Sequence, residues 1–254
     1  LNQKSIETIL NTDNEFIIEK ENIKLSRHFY LINDTISIEY FVFQPEKTNK
    51  VGLFYMGNSS NIFDFVDNLF MLSSQTKSKI YVINYRGYGK SKGTPSFSTQ
   101  FSDNSLITNE IIQKQNKLDF VIGFSLGSVF ASYTATENKT DALYLLAPFS
   151  NTKELFKYFK KQNTRGVKAL FRPFIKFSAD EYLLNVSNTE KIKSYKGKLI
   201  IMHGNADKQL PYFMGQNLYK NSISFDKELI TIDNGEHWSP MLQENWKMLI
   251  NKIK

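Results

Sequence analysis

The sequence contains no cysteine, which rules out disulfides, thiolate nucleophiles and cysteine-held metals and leaves the redox compartment unread. Long apolar runs are also missing. The longest pure apolar stretches are short, such as Leu143 to Ala147, far from the roughly 20 residues that span a bilayer, so the chain is expected to be soluble and without a transmembrane segment. There is no Pro/Gly/Ser-rich linker, internal repeat or low-complexity tract. The 254 residues are therefore expected to form a single domain over 1–254 with a large buried core. Leu1 at the start, in place of methionine, fits a removed leader and a trimmed chain equally, which leaves the compartment open between cytoplasmic and exported.

Acidic residues are outnumbered, giving a formal charge of +7. The excess is concentrated rather than spread. Lys153, Lys157, Lys160, Lys161, Arg165, Lys168, Arg172 and Lys176 lie between Asn151 and Asp180, against only Glu154 and Asp180. Such a cluster suits an anionic surface. No nucleic-acid-binding module accompanies it, so no nucleic-acid partner is expected.

Leu25 to Ile32 and Thr35 to Phe43 are β-rich runs flanking Asn33-Asp34, with Ile36, Ile38, Tyr40 and Val42 in period two; they read as a hairpin. Short apolar strands then alternate with longer helical stretches. The strands are Val51 to Met56, Lys79 to Tyr85, Asp119 to Phe124, Ala142 to Ala147, Lys198 to Met202 and Glu228 to Ile232. Helical spacing fits Ile62 to Thr76, Thr99 to Lys117, Leu126 to Glu137, Pro211 to Lys220 and Pro240 to Lys254. This is the pattern of an α/β fold: a mostly parallel sheet with an N-terminal antiparallel hairpin and helices on both faces. About 150–196 breaks the rhythm and reads as a short helical lid insertion.

Gly123-Phe124-Ser125-Leu126-Gly127 ends one strand and opens the next helix, which is the context of a nucleophile elbow. A strand that turns at once into a helix strains its corner residue and leaves no room for side chains two positions away, hence the flanking glycines. Asp207 follows a late strand within His203-Gly204-Asn205-Ala206-Asp207, and His237 follows the last strand. Ser125, Asp207 and His237 thus occur in the order and at the strand ends that a serine nucleophile, an orienting carboxylate and a general base require. Taken singly, Asp207 reads equally as a helix N-cap and His237 as an ordinary loop histidine. His28 and His203 are expected to be structural.

An oxyanion needs two backbone N–H donors. One is that of Leu126. Asn58, in the loop Met56-Gly57-Asn58-Ser59-Ser60-Asn61, is the candidate for the other, although a plain turn before a helix would look the same. In the insertion, Phe156, Phe159, Phe171 and Phe174 sit at helical spacing among the basic residues. They are candidates to line an acyl site, or else pack on the core while the lysines are solvated.

These residues together resemble the α/β-hydrolase superfamily from about Leu25 to Lys254. Tyr85-Arg86-Gly87-Tyr88-Gly89-Lys90-Ser91-Lys92-Gly93 is similar to a turn that many members carry after the next strand. Within the superfamily the chain most resembles small esterases and acyl-thioesterases, with Met56-Gly57 where many members have His-Gly. The resemblance implies a serine hydrolase, lipase-like in the broad sense, acting on an ester or thioester of an acyl or lipid-like substrate, with no metal and no organic cofactor. An anionic lipid surface is the partner that the basic lid would suit. A non-catalytic binding protein on the same fold, or a serine peptidase or amidase, are the alternatives.

Overall fold

A computed structural model describes residues 16–162 and 185–254. Among these the strands are β1 (Ile17–Lys20), β2 (Ile23–Leu31), β3 (Ser37–Pro45), β4 (Lys50–Tyr55), β5 (Ser78–Ile83), β6 (Phe120–Phe124), β7 (Ala142–Leu146), β8 (Lys198–Gly204) and β9 (Lys227–Ile232). They form one sheet in the order β1-β2-β3-β5-β4-β6-β7-β8-β9. β1, β2, β3 and β5 pair antiparallel in succession, and from β5 through β9 every pairing is parallel. The helices are α1 (Val66–Thr76), α2 (Phe97–Gln115), α3 (Gly127–Asn138), α4 (Thr152–Gln162), α5 (Asn188–Ile192), α6 (Phe213–Asn221) and α7 (Gln243–Ile253). No described helix is long and apolar enough to cross a membrane.

The central strands are apolar on both sides because both sides are covered. Val51, Leu53 and Tyr55 face one layer with Phe97, Val129 and Phe130. Phe54 and Met56, one residue out of phase, face the other with Leu69, Phe70, Trp246 and Leu249. α1 and α7 cover that second side. α3, with eight of its 12 residues buried, lies against the sheet on the first side between α2 and α5. Its Gly127, Ser128, Ala131, Ser132 and Ala135 let it approach closely.

The expected hairpin is β2–β3, in register from Leu31↔Ser37 to Ile23↔Pro45, and all six later strands are present. β1 was not anticipated. It is four residues long and is joined to β2 through Glu21 and Asn22, both at positive φ (53° and 61°), the left-handed pair a tight hairpin demands. Two expected helices begin with a separate 3-10 turn. At Ile62–Asp64, Asn61 and Asp64 form a capping box, and α1 starts afresh at Val66. At Ser239–Met241, Leu242 turns extended (ψ 145°) before α7.

α4 and α5 fall within the expected insertion, whose stem is closed by an antiparallel bridge between Asn151 and Ser187. Asn188 secures that stem, its Nδ2 donating to the carbonyl of Phe149 at 2.9 Å. Residues 163–184, including Phe171 and Phe174, lie outside the described residues, as do the side chains of Phe156 and Phe159.

A fully buried ion pair joins the two strands of the hairpin. Arg27 Nε lies 2.7 Å from Glu39 Oε1, with both side chains at most 2% exposed. Glu39 Oε2 also accepts from Asn84 Nδ2 at 2.5 Å and from the Lys90 amide at 2.9 Å, which anchors the loop after β5. Glu39→Ala would strand a buried guanidinium and is expected to cost about 3–5 kcal/mol, measured as a lowered urea midpoint. The double variant Arg27→Met/Glu39→Leu should recover most of that loss, because no uncompensated charge remains.

Candidate active site

Ser125 stands at the corner between β6 and α3 with φ 53°, a left-handed conformation that costs a non-glycine residue roughly 1 kcal/mol or more. The corner is held by its neighbours. The Ser125 amide donates to the Leu146 carbonyl at 2.9 Å and the Ser128 amide to the Ser125 carbonyl at 3.0 Å. A Cβ on Gly123 would come within 2.6 Å of the Gly127 carbonyl oxygen, and one on Gly127 within 2.5 Å of the Met56 carbonyl oxygen. The same contact sets the loop after β4 against the start of α3.

Ser125, His237 and Asp207, 112 and 30 residues apart in sequence, form a continuous hydrogen-bonded chain. His237 Nε2 lies 2.9 Å from Ser125 Oγ, and His237 Nδ1 lies 2.7 Å from Asp207 Oδ2. Since a carboxylate only accepts, Nδ1 carries the proton and Nε2 presents a lone pair to the hydroxyl. The imidazole is buried and packs on Phe124 with ring centroids 5.2 Å apart, while Ser125 is partly exposed. A hydroxyl with a neutral imidazole on one side and open space on the other can attack an electrophile.

Asp207 is held on both oxygens. Oδ1 accepts from the amides of Gln209 at 2.8 Å and Leu210 at 3.0 Å, so the N-cap-like geometry and the bond to histidine coexist on one carboxylate. Burial alone would raise its pKa. Hydrogen bonds from His203 and His237, the charge of His237 and the Leu210 amide outweigh that and bring it from 3.8 down to about 2. A carboxyl more acidic folded than unfolded stabilises the fold above its unfolded pKa. This contribution is about 2 kcal/mol and is lost as pH falls from about 4 toward 2. Urea midpoints measured across that window should show the loss in the wild type and a flatter profile in Asp207→Asn.

Among the described residues, no protein acceptor takes the backbone N–H of Leu126 or of Asn58. Both flank the packed contact between Gly127 and the β4 loop, where two free donors suit a developing oxyanion. The turn after β5 braces this loop: Tyr85 Oη donates to the Met56 carbonyl at 2.5 Å, and Tyr88 Oη to Asn58 Oδ1 at 2.6 Å. Burial pushes the Tyr85 phenol well above its ordinary value and raises that of Tyr88, which keeps both as donors. Neither tyrosine, nor the contact of His203 with Asp207, was anticipated from the sequence. The only signal was their place in the Tyr85–Gly93 and His203–Asp207 runs. Among the described residues no group of three or more metal-ligating side chains occurs.

The sheet order, the strand-to-helix serine and the late carboxylate and histidine loops define an α/β-hydrolase. The family described as Serine aminopeptidase, S33 (Hydrolase_4) matches residues 65–198, more than half of the chain, and the chain belongs to it. An uncharacterised protein of Acanthamoeba polyphaga mimivirus is 27% identical, covering 91% of this chain and 80% of its own. Lysophosphatidylserine lipase ABHD12 of Bos taurus is 26% identical over 59% of this chain. The match spans 39% of that lipase's length. Of solved structures, acetyl xylan esterase 1 from Thermoanaerobacterium has a TM-score of 0.70 at 15% identity, covering 99% of this chain and 93% of that one. An esterase of Pyrococcus furiosus has a TM-score of 0.69 at 17% identity, covering 94% and 96%. At such identities these structures share the fold.

Proposed function

We propose that this hydrolase cleaves carboxyl-ester or thioester bonds of acyl, lipid-like substrates through an acyl-enzyme, with Ser125 as nucleophile, His237 as general base and Asp207 as its orienting carboxylate. The observation that carries the reading is the Ser125–His237–Asp207 hydrogen-bonded chain on a strained corner. In the first half-reaction Ser125 Oγ attacks the carbonyl carbon and its proton passes to His237 Nε2. The Leu126 and Asn58 amides hold the oxyanion. The tetrahedral species then expels the alcohol or thiol, which takes the proton from Nε2. Water repeats the sequence on the acyl-enzyme, returning acid and free Ser125.

The names of the bovine lipase and the two esterases favour an acyl ester as the substrate class. The family's description as a serine aminopeptidase favours a second reading, in which the same nucleophile cleaves an amide. A screen of p-nitrophenyl esters and acyl-thioesters of increasing chain length, run beside aminoacyl p-nitroanilides, separates the two. Turnover of esters or thioesters with negligible anilide hydrolysis is expected, and a preference for the anilides would replace the ester reading. A fluorophosphonate probe should label the chain, whereas a non-catalytic binding protein on this fold would stay unlabelled. The basic lid segment is the feature that would suit an anionic lipid surface, and salt-sensitive binding to anionic vesicles would test that partner.

A further inference from the structure

We infer that His203 is a positioning residue for this site: its Nε2–H holds the same Asp207 carboxylate oxygen that His237 engages and so sets how strongly Asp207 grips the general base. The inference rests on the reading of Ser125, His237 and Asp207 given above and adds a fourth side chain to it. His203 lies near the end of β8, four residues before Asp207, and is fully buried. Its Nε2 is 2.8 Å from the Leu210 carbonyl oxygen and 3.3 Å from Asp207 Oδ2, the oxygen that also receives His237 at 2.7 Å.

A carbonyl oxygen can only accept, so Nε2 must carry the proton and its hydrogen is shared between the carbonyl and the carboxylate. Nδ1 is then left as a buried lone pair without a partner among the described residues. It faces Gly215, where a Cβ would come within 2.7 Å of it. An imidazole that only filled space would not need an orphaned nitrogen beside a glycine. This ring is fixed so that its one donor reaches both the Asp207 oxygen and the loop that carries Asp207.

The consequence is electrostatic. A carboxylate that spends part of its charge on His203 has less for His237, so the imidazolium formed when Ser125 attacks is stabilised less and returns its proton to the leaving group more readily. No proton leaves His203 in the cycle. The other charged or titratable groups here are Tyr212, packed edge-on to His203 at 5.7 Å, and Lys208 and Glu236, which share a cleft of about 320 Å³ with His237. All three are constant across the variants below.

The test is the pH profile of kcat/KM for a short p-nitrophenyl ester, from about pH 4.5 to 8.5, in the wild type, His203→Leu and His203→Gln, with fluorophosphonate labelling of each. His203→Leu deletes the donor, and the acidic limb should move to higher pH by about half a unit or more. The carboxamide N–H of His203→Gln should bring the limb back toward the wild-type position. Lost packing alone would loosen the Asp207–His237 bond and move the limb to lower pH, or not at all. Either result in a folded His203→Leu would overturn the inference. Should that variant fail to fold, nitrogen NMR of the labelled wild-type chain decides instead: a proton on Nε2 of His203 is expected, and one on Nδ1 alone would overturn it. Failure of the wild type to label or turn over would sink the serine-hydrolase reading itself, so the two failures are read on different proteins.

Discussion

Ser125→Ala is expected to lower ester turnover by about a millionfold and to abolish fluorophosphonate labelling, since removal of a nucleophile that works as a unit with its base leaves only binding and oxyanion stabilisation. The fold should survive. Ser125 Oγ is bonded to His237 and lies at a partly exposed corner, and alanine bears the φ of 53° no worse than serine does. Chemical denaturation of the variant should agree with the wild type within about 0.5 kcal/mol. Substrate should still bind, so a competitive inhibitor that does not react with serine should keep its affinity. Turnover within tenfold of the wild type in a correctly folded Ser125→Ala would remove Ser125 from the reaction.

Asp207→Asn should lower kcat by on the order of ten thousandfold with little change in substrate binding. The carboxylate accepts the Nδ1–H of His237 at 2.7 Å. A carboxamide that keeps the Gln209 and Leu210 amides on its oxygen must turn its NH2 toward His237 and toward His203. Two donors then face each other, and His237 can answer only by moving its proton to Nε2, where it can no longer take one from Ser125. The same change forfeits the acid-dependent stabilisation near 2 kcal/mol, so rates must be compared at a temperature where both proteins are folded. Probe labelling should slow in parallel with turnover. A loss of less than tenfold would mean that His237 is oriented by something other than Asp207.

The parts of the site that could be read from the sequence are those that local geometry constrains. Gly123 is crowded by Gly127, Ser128 and Ala131 of the chain that follows it and Gly127 by the carbonyls of Tyr55 and Met56, so the corner leaves a compact imprint around Ser125. Asp207 and His237 follow β8 and β9, whose apolar runs announce where the loops begin. The hairpin and the six later strands were legible for the same reason. The strand β1 was not, because four residues with a single buried side chain, Ile18, between an exposed Ile17 and Glu19 carry little periodicity. Nor were the breaks at Phe65 and Leu242, where capping by Asn61 and an extended Leu242 interrupt otherwise helical spacing.

Braces around the site belong to another kind of information. Tyr88 is 30 residues from Asn58, and Tyr85 is 29 from Met56. Glu39 reaches Asn84 across 45 positions. Nothing in local spacing tells a buried phenol that donates to the loop of Asn58 from one that fills the core. His203 shows the same limit at short range: lying four residues before Asp207 made contact possible, but the bend at Gly204 to Ala206 and the room left by Gly215 decided it.

By itself, then, the sequence determined the α/β alternation, the strained serine corner and the order of three chemically matched residues, because each depends on neighbours along the chain and on where apolar runs stop. Only the tertiary structure decided that Asp207 shares its charge between two histidines, that paired tyrosines hold the loop of Asn58, and that a buried Arg27–Glu39 pair steadies the turn behind them. Those contacts are made between elements, and their distances are set by how the sheet and its helices pack, which no local pattern of residues encodes.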